Sequence, residues 1–456
     1  MVLTWRAVVL AAVGAVPVAL WPVPGVVLVW LLVVAAVCAL DVALAASPRQ
    51  VTVQRTVPTS VRLGTPVDSR LVVTNAAGRR LRAVVRDAWP PSLAARDDSG
   101  SRQTHTDPSR PVRDARHPVD LAPGDSVRLR TPLLPTRRGD RYAGPVTVRT
   151  LGPLRVAGRQ AAIPVGGRVR VLPEFTSRRH LPSRLARLRE MDGRAAVQVR
   201  GEGTEFDSLR EYVVGDDVRS IDWRATARGG DVVVRTWRPE RDRRVVVVLD
   251  TGRTSAARIG TVDDGSVNVG GTRFEASVEA ALLLGALADR AGDRVQVLAY
   301  DRTVRARVAG ASGPRLLPAM ADALAAVEPV LLETDWTGLV GQVRARVSQR
   351  SLVVLLTSLD PAAVETGLLP VVDRLTGTHQ VVVAAVADAD VTTLAAGRDT
   401  VEEVYDAAAA SRGDLDRSAV AAVLRQHGAE VLEALPDQLA PRLADTYLAL
   451  KAAGRL

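Results

Sequence analysis

Val245-Val246-Val247-Val248-Leu249-Asp250-Thr251-Gly252-Arg253-Thr254 is the stretch that decides the fold. An unbroken apolar run rich in β-branched residues, ending on Asp-Thr-Gly, reads as a strand buried on both faces that stops at a polar turn. Downstream the same texture recurs at Val295–Tyr300, Leu352–Leu356 and Val381–Val386, with a last short strand beyond. Between these runs the spacing predicts helices over Thr272–Asp289, Pro314–Val327, Trp336–Val347, Pro361–Leu375, Leu415–His427 and Asp437–Ala452. The first opens on Thr272-Arg273-Phe274-Glu275, a capping box. Buried strands alternating with helices specify a doubly wound, mostly parallel α/β domain over residues 242–456. Ligands of such sheets bind beyond the carboxyl ends of the strands, where Asp250 lies. The small, polar stretch Ala257–Gly271 is expected to be a loop over that face.

Immediately upstream, residues 201–240 read GEGTEFDSLREYVVGDDVRSIDWRATARGGDVVVRTWRPE. Fifteen of these forty positions are Asp, Glu or Arg, interleaved with Phe206, Tyr212, Trp223 and Trp237. That mixture predicts a buried or half-buried network of Arg–carboxylate forks with Arg stacked on Trp. A catalytic reading needs a carboxylate pair at a cleft, such as Glu205 with Asp216 or Asp222. No His accompanies them and no activated nucleophile is evident, so a structural or partner-binding role is the better reading. A short basic amphipathic helix at His180–Met191, with Leu181, Leu185 and Leu188 on one face, links this segment to what precedes it.

The order of residue types here carries a resemblance. Glu205-Phe206, Arg210, Tyr212, Gly215-Asp216-Asp217, Arg219, Asp222-Trp223, Arg228 and Pro239-Glu240-Arg241 resemble the signature of the bacterial "domain of unknown function 58" family. The resemblance covers residues 178–456 and implies a von Willebrand factor A-like domain after the signature. It also implies a membrane-associated companion of MoxR-type AAA+ ATPases that assembles or activates other proteins. Such a domain often binds Mg2+ or another divalent cation through Asp-x-Ser-x-Ser after the first strand, a Thr in a second loop and an Asp after the fourth strand. The matching positions are Asp250, Thr254, Thr334 with Asp335, and Ser358. Gly252 replaces the first hydroxyl and Ser358 the second carboxylate, for which Asp335 or Asp360 would have to compensate.

Toward the amino terminus, residues 50–175 alternate polar and apolar residues in short runs such as Val146-Thr147-Val148-Arg149, separated by Pro123-Gly124, Gly152-Pro153 and similar turns. This predicts a small all-β, sandwich-like domain over residues 48–175, with Asp97–His117 as a loop inside it. Residues 176–241 then hold the linker helix and the signature. From Ala7 to Leu40 no residue is charged, and Trp21-Pro22-Val23-Pro24-Gly25 interrupts the run. A bilayer is crossed by about 20 apolar residues, so residues 1–47 are expected to form a transmembrane helical hairpin with spans near Val2–Leu20 and Val26–Ala46. Arg6, Arg49 and Arg55 at the outer ends place the body in the cytoplasm by the positive-inside rule. The rival reading, a signal peptide ending at Ala43-Leu44-Ala45, conflicts with an apolar stretch far longer than the about 7–15 residues of a signal core.

Composition narrows the chemistry. The 456 residues include one cysteine, Cys38, five histidines and one lysine, Lys451. A phosphate-binding loop with its Lys, a disulfide scaffold, a Cys-ligated zinc and a Cys–His nucleophile are thereby excluded. The net charge of +10 divides into 31 basic against 13 acidic residues over positions 1–200 and 29 against 37 over the rest. The basic excess lies beside the membrane segment, where anionic headgroups account for it, so lipid and not nucleic acid is the expected partner. The reading that follows is a non-enzymatic, membrane-anchored adaptor or assembly factor. Its alternatives are a scaffold for cell-envelope proteins and a carboxylate-based hydrolase.

Overall fold

The computed structural model describes every residue except 96–114, 199–204, 215, 239–242, 264–265 and 348. The chain divides into two units, Met1–Glu174 and Phe175–Leu456.

In the first unit, Pro24–Leu44 forms a 21-residue helix. It is the one helix among the described residues that is long and apolar enough to cross a membrane. The apolar segment before it is shorter and broken into Trp5–Val13 and Ala15–Leu20. The break has a local cause: in a continuous helix the Pro17 ring would collide with the carbonyl of Val13. At the break Gly14 lies against the Trp30 indole, and Trp30 Nε1 donates to the Leu10 carbonyl at 3.3 Å.

The rest of this unit is β-rich, as the alternation predicts. An antiparallel sheet orders Val51–Thr56, Val67–Asn75, Ser126–Pro135 and Leu93–Ala95. A second orders Val2–Leu3, Ala157–Ile163, Val146–Leu151, Leu81–Asp87 and Ala115–Leu121. Leu71 and Val73 from the first sheet and Leu81, Val85, Val146 and Val148 from the second share one buried core. Beside it, Arg55 and Asp87 form a fully buried ion pair at 2.6 Å, with the guanidinium 5.4 Å from the Trp89 ring centre. The loop expected over Asp97–His117 is a strand from Ala115 onward; residues 96–114 lie outside the described residues.

The second unit is built on six strands: β1 (Arg244–Asp250), β2 (Arg294–Tyr300), β3 (Val304–Val308), β4 (Leu352–Thr357), β5 (Gln380–Val386) and β6 (Glu430–Ala434). They lie in the order 3-2-1-4-5-6, all parallel except edge strand β3. Alternation sends Val245, Val247 and Leu249 into one core and Val246 and Val248 into the other. The helices Arg273–Arg290, Leu316–Ala325 and Pro436–Ala452 contribute to the first core. The helices Trp336–Arg344 and Leu369–Thr376, with the end of Val401–Gln426, contribute to the second. Each buried Val or Leu contributes about 1.5–3 kcal/mol, so the double layer is where this unit's stability resides.

Three expectations change. Ala257–Gly271 is no simple loop: Arg258–Asp263 and Ser266–Thr272 pair as an antiparallel hairpin. Alternating residues around Asp264-Gly265, a dipeptide favoured in two-residue hairpin turns, are the signal that was available. The helix expected near Leu415–His427 begins at Val401, capped by Thr400, and a further helix, Ala389–Ala396, precedes it. Both were hidden because their first turns carry few buried apolar positions.

Candidate functional site

The strand order reverses between β1 and β4, and the polar cluster sits at that point. Asp250, the last residue of β1, is buried. Its Oδ1 accepts the Gly252 N–H at 2.8 Å and the Thr334 hydroxyl at 2.5 Å. Its Oδ2 accepts the Thr357 hydroxyl at 2.7 Å and the Thr254 hydroxyl at 3.3 Å. Thr357 ends β4, so the Asp250–Thr357 bond bridges the two strands across the crevice. Gly252 permits the arrangement, since a Cβ there would overlap the Thr334 hydroxyl.

Of the residues singled out as cation ligands, Asp250, Thr254 and Thr334 are brought together. Asp335 is instead the N-cap of the helix Trp336–Arg344, accepting the Gly338 N–H at 2.9 Å. Asp360 caps the helix that begins at Pro361. Ser358 is buried and its hydroxyl has no hydrogen-bond partner, while the neighbouring Thr357, missed in the sequence, makes the contact. Among the described residues no cluster of three or more Asp, Glu, His or Cys could hold a metal. The donor set at Asp250 is one carboxylate already saturated by one amide and three hydroxyl donors. A hard divalent cation takes about six oxygens and favours carboxylates, so this set does not fit a resident Mg2+.

A second carboxylate lies one strand over. Asp301 follows β2, is buried, and accepts from the Thr251 hydroxyl at 2.9 Å, the Arg302 and Thr303 amides, and Arg305 Nε at 2.5 Å. Burial pushes its carboxyl up, but Arg305, the two amides and the Thr251 hydroxyl outweigh burial and hold it below the usual range. Tyr300 beside it is pushed up by burial, reinforced by Asp335 and Asp301. At the rim Arg253 pairs with Glu333 at 2.7 Å, both exposed. Asp250 and Asp301 are each engaged by several donors and Arg253 is paired with Glu333, which suits a fixed polar surface.

The signature is a separate hairpin of Glu205–Glu211 and Val233–Arg238. Glu205 and Phe206 register opposite Arg238 and Trp237. Gly215 and Glu240 lie outside the described residues. The Tyr212 amide donates to the Val232 carbonyl at 2.8 Å, continuing the hairpin. Asp216 accepts from Arg210 at 2.5 Å and from the Val213 amide at 3.0 Å. Asp217 caps the turn Val218–Ser220 through the Arg219 amide. Asp222 caps the helix Trp223–Gly229 through the Arg224 and Ala225 amides and binds Arg235 at 2.8 Å. Gly230, with φ of 87°, ends that helix in the left-handed conformation that glycine adopts without strain.

The Arg210–Asp216 and Arg235–Asp222 pairs are half-buried, within what the residue mixture predicts, but Trp223 is solvent-facing instead of stacked under an arginine. The Asp216 carboxyl is held below the usual range first by Arg210 and then by the Val213 amide. Asp222 is likewise low, first through the Ala225 amide and then Arg235. A carboxyl acting as general acid needs the opposite shift.

Residues 208–427 match the model of the family described as "Protein of unknown function DUF58", which supports membership of that family. No curated protein matches the chain. The CARDB domain of the PF1109 protein from Pyrococcus furiosus, solved with di-metal ions, is 14% identical over 28% of this chain and 90% of that one, with a TM-score of 0.18. An Escherichia coli alpha-2-macroglobulin fragment is 21% identical over 29% of this chain and 18% of that one, with a TM-score of 0.20. At these TM-scores neither likeness carries an argument.

Proposed function

We infer, from the DUF58 match over residues 208–427 as premise, that the chain is a membrane-anchored adaptor or assembly factor whose second unit is a von Willebrand A-like docking domain. The observation that carries this reading is the 3-2-1-4-5-6 sheet with its polar cluster, Asp250, Thr254, Thr334 and Thr357, at the carboxyl ends of β1 and β4. Every carboxylate described there is spent on structure, which favours docking over turnover and gives no support to the hydrolase alternative. The partner is a MoxR-type AAA+ ATPase, on the family resemblance. The N-terminal apolar segments form a two-span hairpin, and the body is cytoplasmic on the strength of Arg6, Arg49 and Arg55. The test is binding of the full chain, in detergent or nanodiscs, to a MoxR-type ATPase with its turnover monitored. The adaptor reading expects saturable binding that Arg253→Glu with Glu333→Arg at the rim weakens. Absence of binding together with unchanged ATP turnover would remove the ATPase as partner.

A further inference from the structure

We propose that Val213 and Val214, held by Asp216, together with the helix Trp223–Gly229 form a contact for the interfacial layer of a bilayer containing anionic phospholipid. The inference goes beyond the adaptor reading and does not rest on it.

Val214 is 94% exposed, Val213 61%, Val218 63% and Trp223 67%. These large apolar side chains belong to one small module and to none of the hydrophobic cores of the second unit. Their exposure is built, not incidental. The Asp216 amide donates to the Val213 carbonyl at 3.0 Å, closing the turn, while its carboxylate accepts from the Val213 amide and from Arg210. Asp222 and Gly230 fix both ends of the helix that presents Trp223. Two ion pairs thus hold apolar groups out in solvent, where apolar area is disfavoured.

The chemistry around these groups selects the occupant. Arg210 and Arg235 are neutralised by Asp216 and Asp222. Arg219, Arg224 and Arg228 are exposed, and among the described residues their guanidinium groups make no hydrogen bond or ion pair. Arg224 and Arg228 lie one turn apart on a helix that carries no acid. Asp217 is engaged by the Arg219 amide; Glu211 ends one hairpin strand and Asp231 precedes the other. A projecting Val-Val turn beside a Trp and unpaired Arg side chains suits the bilayer interface, where indoles and apolar tips enter and guanidinium groups meet phosphates. The chain also carries Pro24–Leu44, long and apolar enough to tether it to a bilayer.

The test uses the full chain with Cys38→Ala and Val214→Cys, labelled with an environment-sensitive fluorophore and reconstituted into vesicles. These are phosphatidylcholine alone or mixed with phosphatidylglycerol, each with and without lipids bearing a quencher in the upper acyl chain. The expected result is a blue-shifted, quenched probe in the anionic vesicles and several-fold less quenching in the neutral ones. Arg219→Glu/Arg224→Glu/Arg228→Glu should lower quenching likewise, with unchanged circular dichroism. A probe unquenched in both vesicle types overturns the proposal. So does protection that scales with protein concentration in detergent, which identifies a second copy, or protection that appears only on adding a protein partner.

Discussion

Asp250 accepts four hydrogen bonds, and their donors show what its side chain is for. Replacing it by Ala strands buried hydroxyls on β4 and the Thr334 loop; unsatisfied buried donors cost about 1–3 kcal/mol each, less whatever water recovers. Asp250→Ala should therefore lower the thermal midpoint of the second unit by several degrees, read by calorimetry. Asp250→Asn, which keeps the acceptor oxygen, should lower it less. Titration of Mg2+ into the wild-type chain should give no binding heat; a saturable heat lost in Asp250→Ala would restore the cation site. The sole lysine makes a parallel case at the opposite end of β2. Lys451 Nζ lies 2.7 Å from Asp293, which also accepts the buried Tyr447 hydroxyl at 2.5 Å. Lys451→Met leaves that carboxylate buried with one partner fewer, and breaking a buried pair typically costs about 3–5 kcal/mol. Urea unfolding should show the loss. An unchanged midpoint would mean that water takes over the ammonium's role.

The helix Pro24–Leu44 ends in a socket made by the β-domain. Asp41, a buried carboxyl, accepts the Leu154, Val156 and Ala157 amides at 2.8, 2.8 and 2.9 Å. Arg159 and Arg79 cover the Val42 and Ala43 carbonyls, which have no further helical turn to receive them. A Cβ on Gly152 would overlap the Asp41 carboxylate, so Gly152→Ala should loosen the helix end and destabilise the first unit by about 1–3 kcal/mol. Proteolysis between residues 44 and 50 in detergent would detect it as faster cleavage, and a rate equal to wild type would argue against the socket. None of this is legible in the sequence, where Asp41 is one acid at the edge of an apolar run and its partners lie more than a hundred residues away. The α/β strands were legible because burial on both faces leaves a continuous apolar run. Asp250 was legible because it closes such a run, whereas Thr254 and Thr334 were singled out through the family resemblance. Thr357 was not legible: a threonine at a strand end resembles any other until the neighbouring strand brings Asp250 beside it. The signature hairpin escaped because its described apolar positions follow no single period: Val234 is buried while Leu209 in the partner strand is exposed.

At the scale of the molecule, several pKa shifts act on stability with one sign. His117, in the first unit, is pushed below its ordinary value by burial, which Asp87 only partly opposes. His379, in the second, is pushed down by burial and then by Arg344. A base depressed in the fold binds its proton more readily when unfolded. Its contribution is therefore complete above the unfolded value of about 6.5 and is lost as pH falls toward the folded value. Asp140, held at about 2 by Arg170 and then Arg168 against its partial burial, acts in the same direction but lower. Its contribution is present above the ordinary carboxylate value and disappears as pH falls from about 4 toward 2. Asp301 follows the same course in the second unit, through Arg305 and its amides. Nothing described at these four sites strengthens on acidification, so their contributions should decline in two stages, a first below about 6.5 and a second below about 4. Thermal unfolding of the detergent-solubilised chain from pH 8 to pH 3 should show both stages. His379→Gln should flatten the first stage in the second unit's transition alone, because the buried imidazole is then no longer there to exclude a proton. If that variant leaves the slope between pH 7 and pH 5 unchanged, the acid sensitivity of the second unit resides elsewhere than in His379.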